Sequence, residues 1–243
     1  MFTTILVPLD GSPLSRRALP YAVRLAKEAC GQVILARSSH AAEPVGGTYP
    51  MAKVEEELAA IAAGLQAQGI NALYRTYSDD PADAILTAVH EYRPDLIVMA
   101  THRRGEIGRW FYGSITDRVA RAVGVPVLVV PDGCQKEWPS GAEARLRLLV
   151  PLDGSEFSTR AVATATSLGE GVDPELVLLH VVEPINPLFG SGYSLTELDP
   201  EFRTMAAKEM LEGVAAGMRG AGSAGGSKDR HRPGASHDRR CRQ

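Results

Sequence analysis

The segment "ILVPLDGSPLSRRAL" at residues 5–19 returns as "LLVPLDGSEFSTRAV" at 148–162, an offset of 143 residues. Polar positions recur together with apolar ones: Pro8/Pro151, Asp10/Asp153, Gly11/Gly154, Ser12/Ser155, Ser15/Ser158 and Arg17/Arg160. Apolar alternation arises by chance, but a Pro, an Asp, a Gly and two Ser held in one register do not. Downstream, "QVILARS" at 32–38 is echoed by "ELVLLHVV" at 175–182. The chain therefore carries a duplicated unit, and its fold must be one that a single copy can begin and complete. With 243 residues the sequence has room for two units of about 120, within the usual domain range.

Within the first unit short apolar runs alternate with helical periods. Residues 5–9, 33–36, 72–77, 95–100 ("DLIVMA") and 125–130 ("VPVLVV") read as strands. Helices are expected over 14–30, 51–68, 81–92 and 114–123, the third opening on Pro81 after Asp80, since proline suits the first helical position. Strands that are apolar throughout and alternate with helices indicate a parallel sheet covered on both faces. The expected fold is α/β: a five-stranded parallel sheet with helices on both faces, Rossmann-like, spanning 1–132 and followed by a linker at 133–145. The second unit, 146–218, supplies a strand, a helix at about 158–168, a second strand and a helix from Pro200 to Met218, and is thus an incomplete copy.

The segment from Arg219 to Gln243 contains no large apolar residue and is expected to be disordered, because it cannot bury enough surface to offset its ordering entropy. It holds seven of the 26 Lys/Arg and two of the 29 Asp/Glu, leaving 19 and 27 in the rest of the chain. The body is acidic, so no nucleic acid is expected as a partner. The tail reads either as a basic arm or as a structureless end. Gly and Ser dilute its charge and no aromatic residue is interleaved, which favours the second reading. A shifted reading frame would produce the same abrupt loss of periodicity. Cys30, Cys134 and Cys241 lie far apart with no C-x-x-C pair, a pattern that fits a reducing compartment. The N-terminal "MFTTILVPLDGS" lacks a basic n-region, and no apolar run approaches the ~20 residues that span a bilayer. A cytoplasmic location without membrane attachment is the expectation.

In open parallel sheets, ligands bind outside the carboxyl ends of the strands where strand order reverses. The first strand delivers Pro8, Leu9, Asp10, Gly11 and Ser12 to that end. The second delivers Arg37 and Ser38, and the fourth Met99, Ala100, Thr101, His102 and Arg103. A loop then leads to Gly113 and Ser114 at a helix start, where unpaired N–H groups and a partial positive charge suit phosphate. Arg103, Arg104 and Arg109 stand nearby in sequence. Taken alone, Ser114 reads as a simple N-cap, and Arg109 with Trp110 as a solvated or packed loop. Their convergence on one strand end is what favours an anion site.

The segments "ILVPLDGS", "DLIVMATH" and "GSITDRVARAVGVPVLVV" resemble the universal stress protein family, over the whole first unit and the opening half of the second. The resemblance implies an adenine nucleotide alpha hydrolase-like sheet with ATP, alone or with Mg²⁺, lying across the strand ends. It implies a carboxylate at Asp10 that meets the ribose, with Pro8 and Leu9 beside it, and Ser38 near the base. Nucleotide-binding members carry G-x2-G-x9-G-[S/T]. Here Met99 precedes that pattern, and Gly113, Ser114 and Ile115 match its end. The two earlier glycines are replaced by Ala100 and Arg103. Arg103 adds bulk where backbone should approach phosphate, and also offers a charge-assisted contact.

No other chemistry competes on motif grounds. His40, His90, His102, His180, His231 and His237 show no metal-ligand spacing, and no G-x-S-x-G or G-x-x-x-x-G-K-[ST] occurs. No catalytic residue is assigned. The reading is a cytoplasmic stress-response protein that binds ATP as a regulatory ligand, with little or no hydrolysis. The alternatives are a nucleotide-free dimerisation or adaptor module of the same fold, and an adenine-nucleotide hydrolase, against which the lack of an acidic metal cluster counts. A homodimer through the strand at 125–130 is expected, since an apolar strand at an open sheet edge is a pairing template, together with a protein partner that the sequence does not name.

Overall fold

Five parallel strands in the order β3-β2-β1-β4-β5 form the first unit, so that β1 and β4, far apart in sequence, lie side by side at the centre. In this computed structural model the described residues are 2–42, 50–101, 113–132, 146–168, 174–182 and 199–224. The elements are β1 (Thr4–Pro8), a 3₁₀ turn (Ser15–Ala18), α1 (Leu19–Ala29), β2 (Gln32–Ser38), α2 (Met51–Gln66), β3 (Asn71–Tyr77), α3 (Pro81–Tyr92), β4 (Leu96–Thr101), α4 (Ser114–Ala122) and β5 (Val127–Pro131). The α/β parallel architecture read from the strands is the one found.

The central strands are apolar throughout because both faces are covered. Leu6, Ile34, Ala36, Ile97 and Met99 point to one face, where they pack with Ile85 and Ala88 of α3 and Val119 of α4. Alternate residues Ile5, Val7, Val33 and Leu35 point to the other, and are as fully buried as Leu25 of α1 and Val54 and Leu58 of α2. The edge strand β3 shows the contrast, with Leu73 and Tyr74 exposed.

Local chemistry sets the element ends. Asp80 caps α3 by accepting from the Ala82 N–H at 3.2 Å, and Pro81 follows at the first turn as expected. The helix expected over 14–30 is divided: a 3₁₀ turn covers Ser15–Ala18 and α1 begins at Leu19. Pro20 explains the division, since it has no N–H to donate back into a preceding α-turn and belongs in a first turn. At the other end Cys30 closes α1 in the left-handed region at φ 49°. Cys30 is disulfide-bonded, against the expectation drawn from the wide cysteine spacing, because separation along the chain does not bound separation in space.

The second unit holds β6 (Arg147–Pro151), α5 (Glu156–Leu168), β7 (Glu175–Leu179) and α6 (Pro200–Ala224) among its described residues. β6 and β7 form a parallel pair. Their core is small: Val150, Leu152 and Val162 are buried, with Leu178, Leu211, Val214 and Met218 packed against them. α6 continues past Met218 through Ala224, so its last turns run into the segment from Arg219 expected to be disordered. The expected linker at 133–145 and the remaining tail, 225–243, lie outside the described residues.

Candidate functional site

A cleft lies at the carboxyl ends of β1, β2 and β4, where the strand order reverses between β1 and β4. Pro8, Leu9, Asp10, Ser38, Met99, Ala100, Gly113, Ser114 and Ile115, chosen from the sequence, all line it. Arg103 lies outside the described residues, as do His102, Arg104, Arg109 and Trp110. Residues the sequence did not assign to the site also face the cleft. Among them are Leu14 and Ser15, and Pro81, Ala84 and Ile85 from the start of α3. Ser15 carried a signal in its recurrence as Ser158. The α3 residues carried none, because their approach to β1 and β4 is purely tertiary.

Asp10 opens a tight turn. Its Oδ1 accepts from the Ser12 N–H at 2.8 Å. Ser12 Oγ accepts from the Ser15 N–H at 3.1 Å, and Ser15 Oγ donates to the Ser12 carbonyl at 3.0 Å while accepting from the Asp10 N–H at 3.3 Å. Desolvation by the cleft walls pushes the Asp10 carboxyl up, hydrogen bonding to Ser12 and Ser15 pulls it down further, and the net pKa lies below the ordinary value. Asp10 is thus an anion at neutral pH, fit to accept hydrogen bonds from hydroxyl groups.

Gly11 sits in this turn at φ 87°, a conformation L side chains avoid. A Cβ there would also lie 2.7 Å from Arg37 Cζ and closer still to its Nη2. Arg37, at the end of β2, is buried, and its Nη1 meets Glu57 Oε2 of α2 at 2.7 Å. The neighbouring Ser38 is buried on the opposite face. Its hydroxyl donates to the Asp79 carbonyl and accepts from the His40 N–H at 3.1 Å. Ser38 therefore lines the cleft with a hydroxyl already engaged in holding the β3–α3 connection.

At the far end, Thr101 Oγ1 accepts from the Gly113 N–H at 3.1 Å, and the Thr101 carbonyl accepts from the Asp132 N–H at 2.8 Å. Thr101 thereby fastens the end of β4 to the starts of α4 and of the segment after β5. Gly113 is the N-cap of α4, with no side-chain cap, and Ser114 is the first helical residue. Ser114 is therefore not the N-cap that it resembles in isolation. Among the described residues no carboxylate or hydroxyl caps the first-turn amides of α4, and Gly113 to Thr116 line the cleft beside the ends of β1 and β4.

A sequence profile of the universal stress protein family matches residues 1–131 and again 145–232. The chain belongs to the universal stress protein family. A family member from Thermus aquaticus is 32% identical over 139 residues, 54% of this chain and 99% of its own length. Another, from Methanocaldococcus jannaschii, is 26% identical over 140 residues, 54% of this chain and 82% of its own. The crystal structure of a universal stress protein from Archaeoglobus fulgidus aligns with 74% of this chain and 67% of that one, at 22% identity and a TM-score of 0.55, which shows a shared fold.

As a tandem universal stress protein, the chain supplies an internal comparison. In the second unit Asp153 Oδ1 accepts from the Ser155 N–H at 2.9 Å, and Ser158 Oγ donates to the Ser155 carbonyl at 2.9 Å. Leu152 N–H reaches the Leu179 carbonyl at 2.7 Å, as Leu9 N–H reaches Ala36 at 2.8 Å. The half-site at β6 and β7 thus repeats that at β1 and β2. His180 stands where Arg37 does, donating from Nδ1 to the Leu152 carbonyl at 2.7 Å. Nothing in the second unit's described residues corresponds to β4 and α4.

Proposed function

We propose that this universal stress protein acts in the cytoplasm and binds ATP, alone or as its Mg²⁺ complex, as a regulatory ligand in the first-unit cleft. The observation that carries the reading is the pairing of the cleft's two ends. At one end Gly113, tied to Thr101, starts α4 without a capping side chain, so its first N–H groups can receive phosphate oxygens. At the other, the ionised Asp10 can accept hydrogen bonds from ribose hydroxyls. Pro8, Met99 and Ile85 give the space between them apolar walls suited to a base. Little or no hydrolysis is expected, since no general base is assigned beside the phosphate end.

Calorimetric titration of the chain with ATP, with and without Mg²⁺, tests the reading beside Gly113→Val and Arg103→Gly. Parent binding that Gly113→Val abolishes and Arg103→Gly alters modestly would support it. The second reading, a nucleotide-free adaptor module, draws on the replacement of a pattern glycine by Arg103. Binding seen only in Arg103→Gly would establish that alternative. In either case the protein is proposed to act as a homodimer through the strand at 125–130 and to engage a further protein. β5 supports this: it pairs with β4 on one side and ends the sheet on the other.

A further inference from the structure

We infer that Arg37 is a specificity-determining wall of the first-unit cleft, limiting it to nucleotides whose ribose hydroxyls carry no bulky substituent. The inference rests on the nucleotide reading above. Phosphates at the start of α4 place the sugar toward the ends of β1 and β2, where Asp10 and Arg37 line the cleft. The space over Gly11 on that side is filled: the Arg37 guanidinium lies where a Cβ would project. It is held there by Glu57 at 2.7 Å, with the arginine side chain only 4% exposed.

The second unit shows that this filling is not needed to make the turn. Gly154 keeps a φ of 86°, and Asp153, Ser155 and Ser158 keep the hydrogen bonds of Asp10, Ser12 and Ser15. Yet among the described residues nothing lies within 4 Å of a Cβ built on Gly154. The difference traces to Arg37 against His180, which turns back to bond Leu152 and leaves the space open. One turn thus occurs twice, walled in one copy and open in the other. The wall is pinned, because a planar guanidinium fixed by a carboxylate cannot swing aside without breaking a buried ion pair.

The test compares ATP with its ribose-esterified N-methylanthraniloyl derivative, using the full chain and its Arg37→His and Glu57→Gln variants, each checked for folding by thermal denaturation. In the parent the derivative should bind weaker than ATP by about tenfold or more, the scale of an overpacking penalty. That ratio should collapse toward one in Arg37→His and fall part-way in Glu57→Gln, where the guanidinium stays but loses this ion pair. A parental ratio near one, or a ratio unmoved by Arg37→His, overturns the inference. Should Arg37→His not fold, Arg37→Lys takes its place, since an ammonium cannot cover the glycine as the planar group does. If the parent binds neither nucleotide, the nucleotide reading fails, and a ligand-free comparison decides the wall. Gly11→Ala should lower Tm more in the parent than in the Arg37→His background, where only backbone strain remains. Equal losses would refute the wall.

Discussion

Gly113, which lines the cleft, and Gly11, in the turn after β1, do different work, and the difference lies in what surrounds each. Gly113 has φ −53°, which any residue adopts, and among the described residues a Cβ there would meet only Thr101 Oγ1 at 3.4 Å, an ordinary contact. Those residues set no steric requirement for glycine at that position. Gly11 is required twice by the fold itself, by its φ of 87° and by Arg37. Sequence reading reached both positions and could not separate these reasons. The recurrence of Asp, Gly and two Ser flagged the turn, but repeat alone does not say whether a residue builds a turn or meets a ligand. Arg37 was placed at a strand end by the sequence, while its burial depends on Glu57, twenty residues away on another element. The second unit allows the turn's chemistry to be tested without a complete site. Side-chain hydrogen bonding to Ser155, then its backbone N–H and Ser158, hold the Asp153 carboxyl down at about 2, from an ordinary 3.8. Because the folded value is depressed, the contribution of this turn to stability is fully present above 3.8 and is lost as pH falls through about 2. Following the Asp153 carboxyl carbon by NMR against pH should give a midpoint near 2 in the parent. In Ser155→Ala the midpoint should move up toward the ordinary value. An unmoved midpoint would remove the hydroxyl from the explanation.

At the scale of elements the strands were legible because each central one is buried on both faces, leaving an apolar run that periodicity cannot confuse with a surface helix. The 3₁₀ turn before α1 was not, because Leu19, Val23 and Ala26 fall on one helical face whether or not Pro20 interrupts the backbone ladder. β5 carries the prediction at this scale. The Pro126 carbonyl accepts from the Ile97 N–H at 3.0 Å, so residues 126, 128 and 130 turn their polar backbone toward β4. Residues 127 and 129 therefore turn theirs to the open edge. Val125 and Val127 pack against the α3/α4-side core and Val130 is buried, so the strand is seated from one side. Val129→Pro deletes an outward N–H while sparing the bonds to β4, the position at which an edge strand tolerates proline. If the dimer forms through this edge, sedimentation should show Val129→Pro as a monomer at concentrations where the parent associates, with the first unit still folded. Undiminished association would place the interface elsewhere.

Over the whole molecule the two copies differ in what each can bury. Leu6 of β1 is fully buried under α3 and β4, whereas its counterpart in β6, Leu149, is 61% exposed. Phe157 and Val181, at 79% and 69%, stand equally open. The chain divides into compact units between Ala142 and Glu143, and among the described residues the second retains only Val150, Leu152 and Val162 as buried apolar groups. A two-stranded sheet with so small a core is marginal by itself, since stability scales with the apolar surface removed from water. The sequence carries the matching expectation, since the second copy loses its periodicity after its second strand and the helix that follows. The amides of β1, β2 and β4 should then exchange with solvent only on global unfolding of the first unit. Those of β6 and β7 should exchange by opening their own unit, at a markedly lower free energy. Hydrogen exchange followed by mass spectrometry on the intact chain reads both at once. The same difference should appear in limited proteolysis as a surviving fragment ending soon after residue 132. If β6 and β7 prove as protected as β1, the exposed face at Leu149 is covered in solution, and the second unit contributes to an assembly that its own residues do not complete.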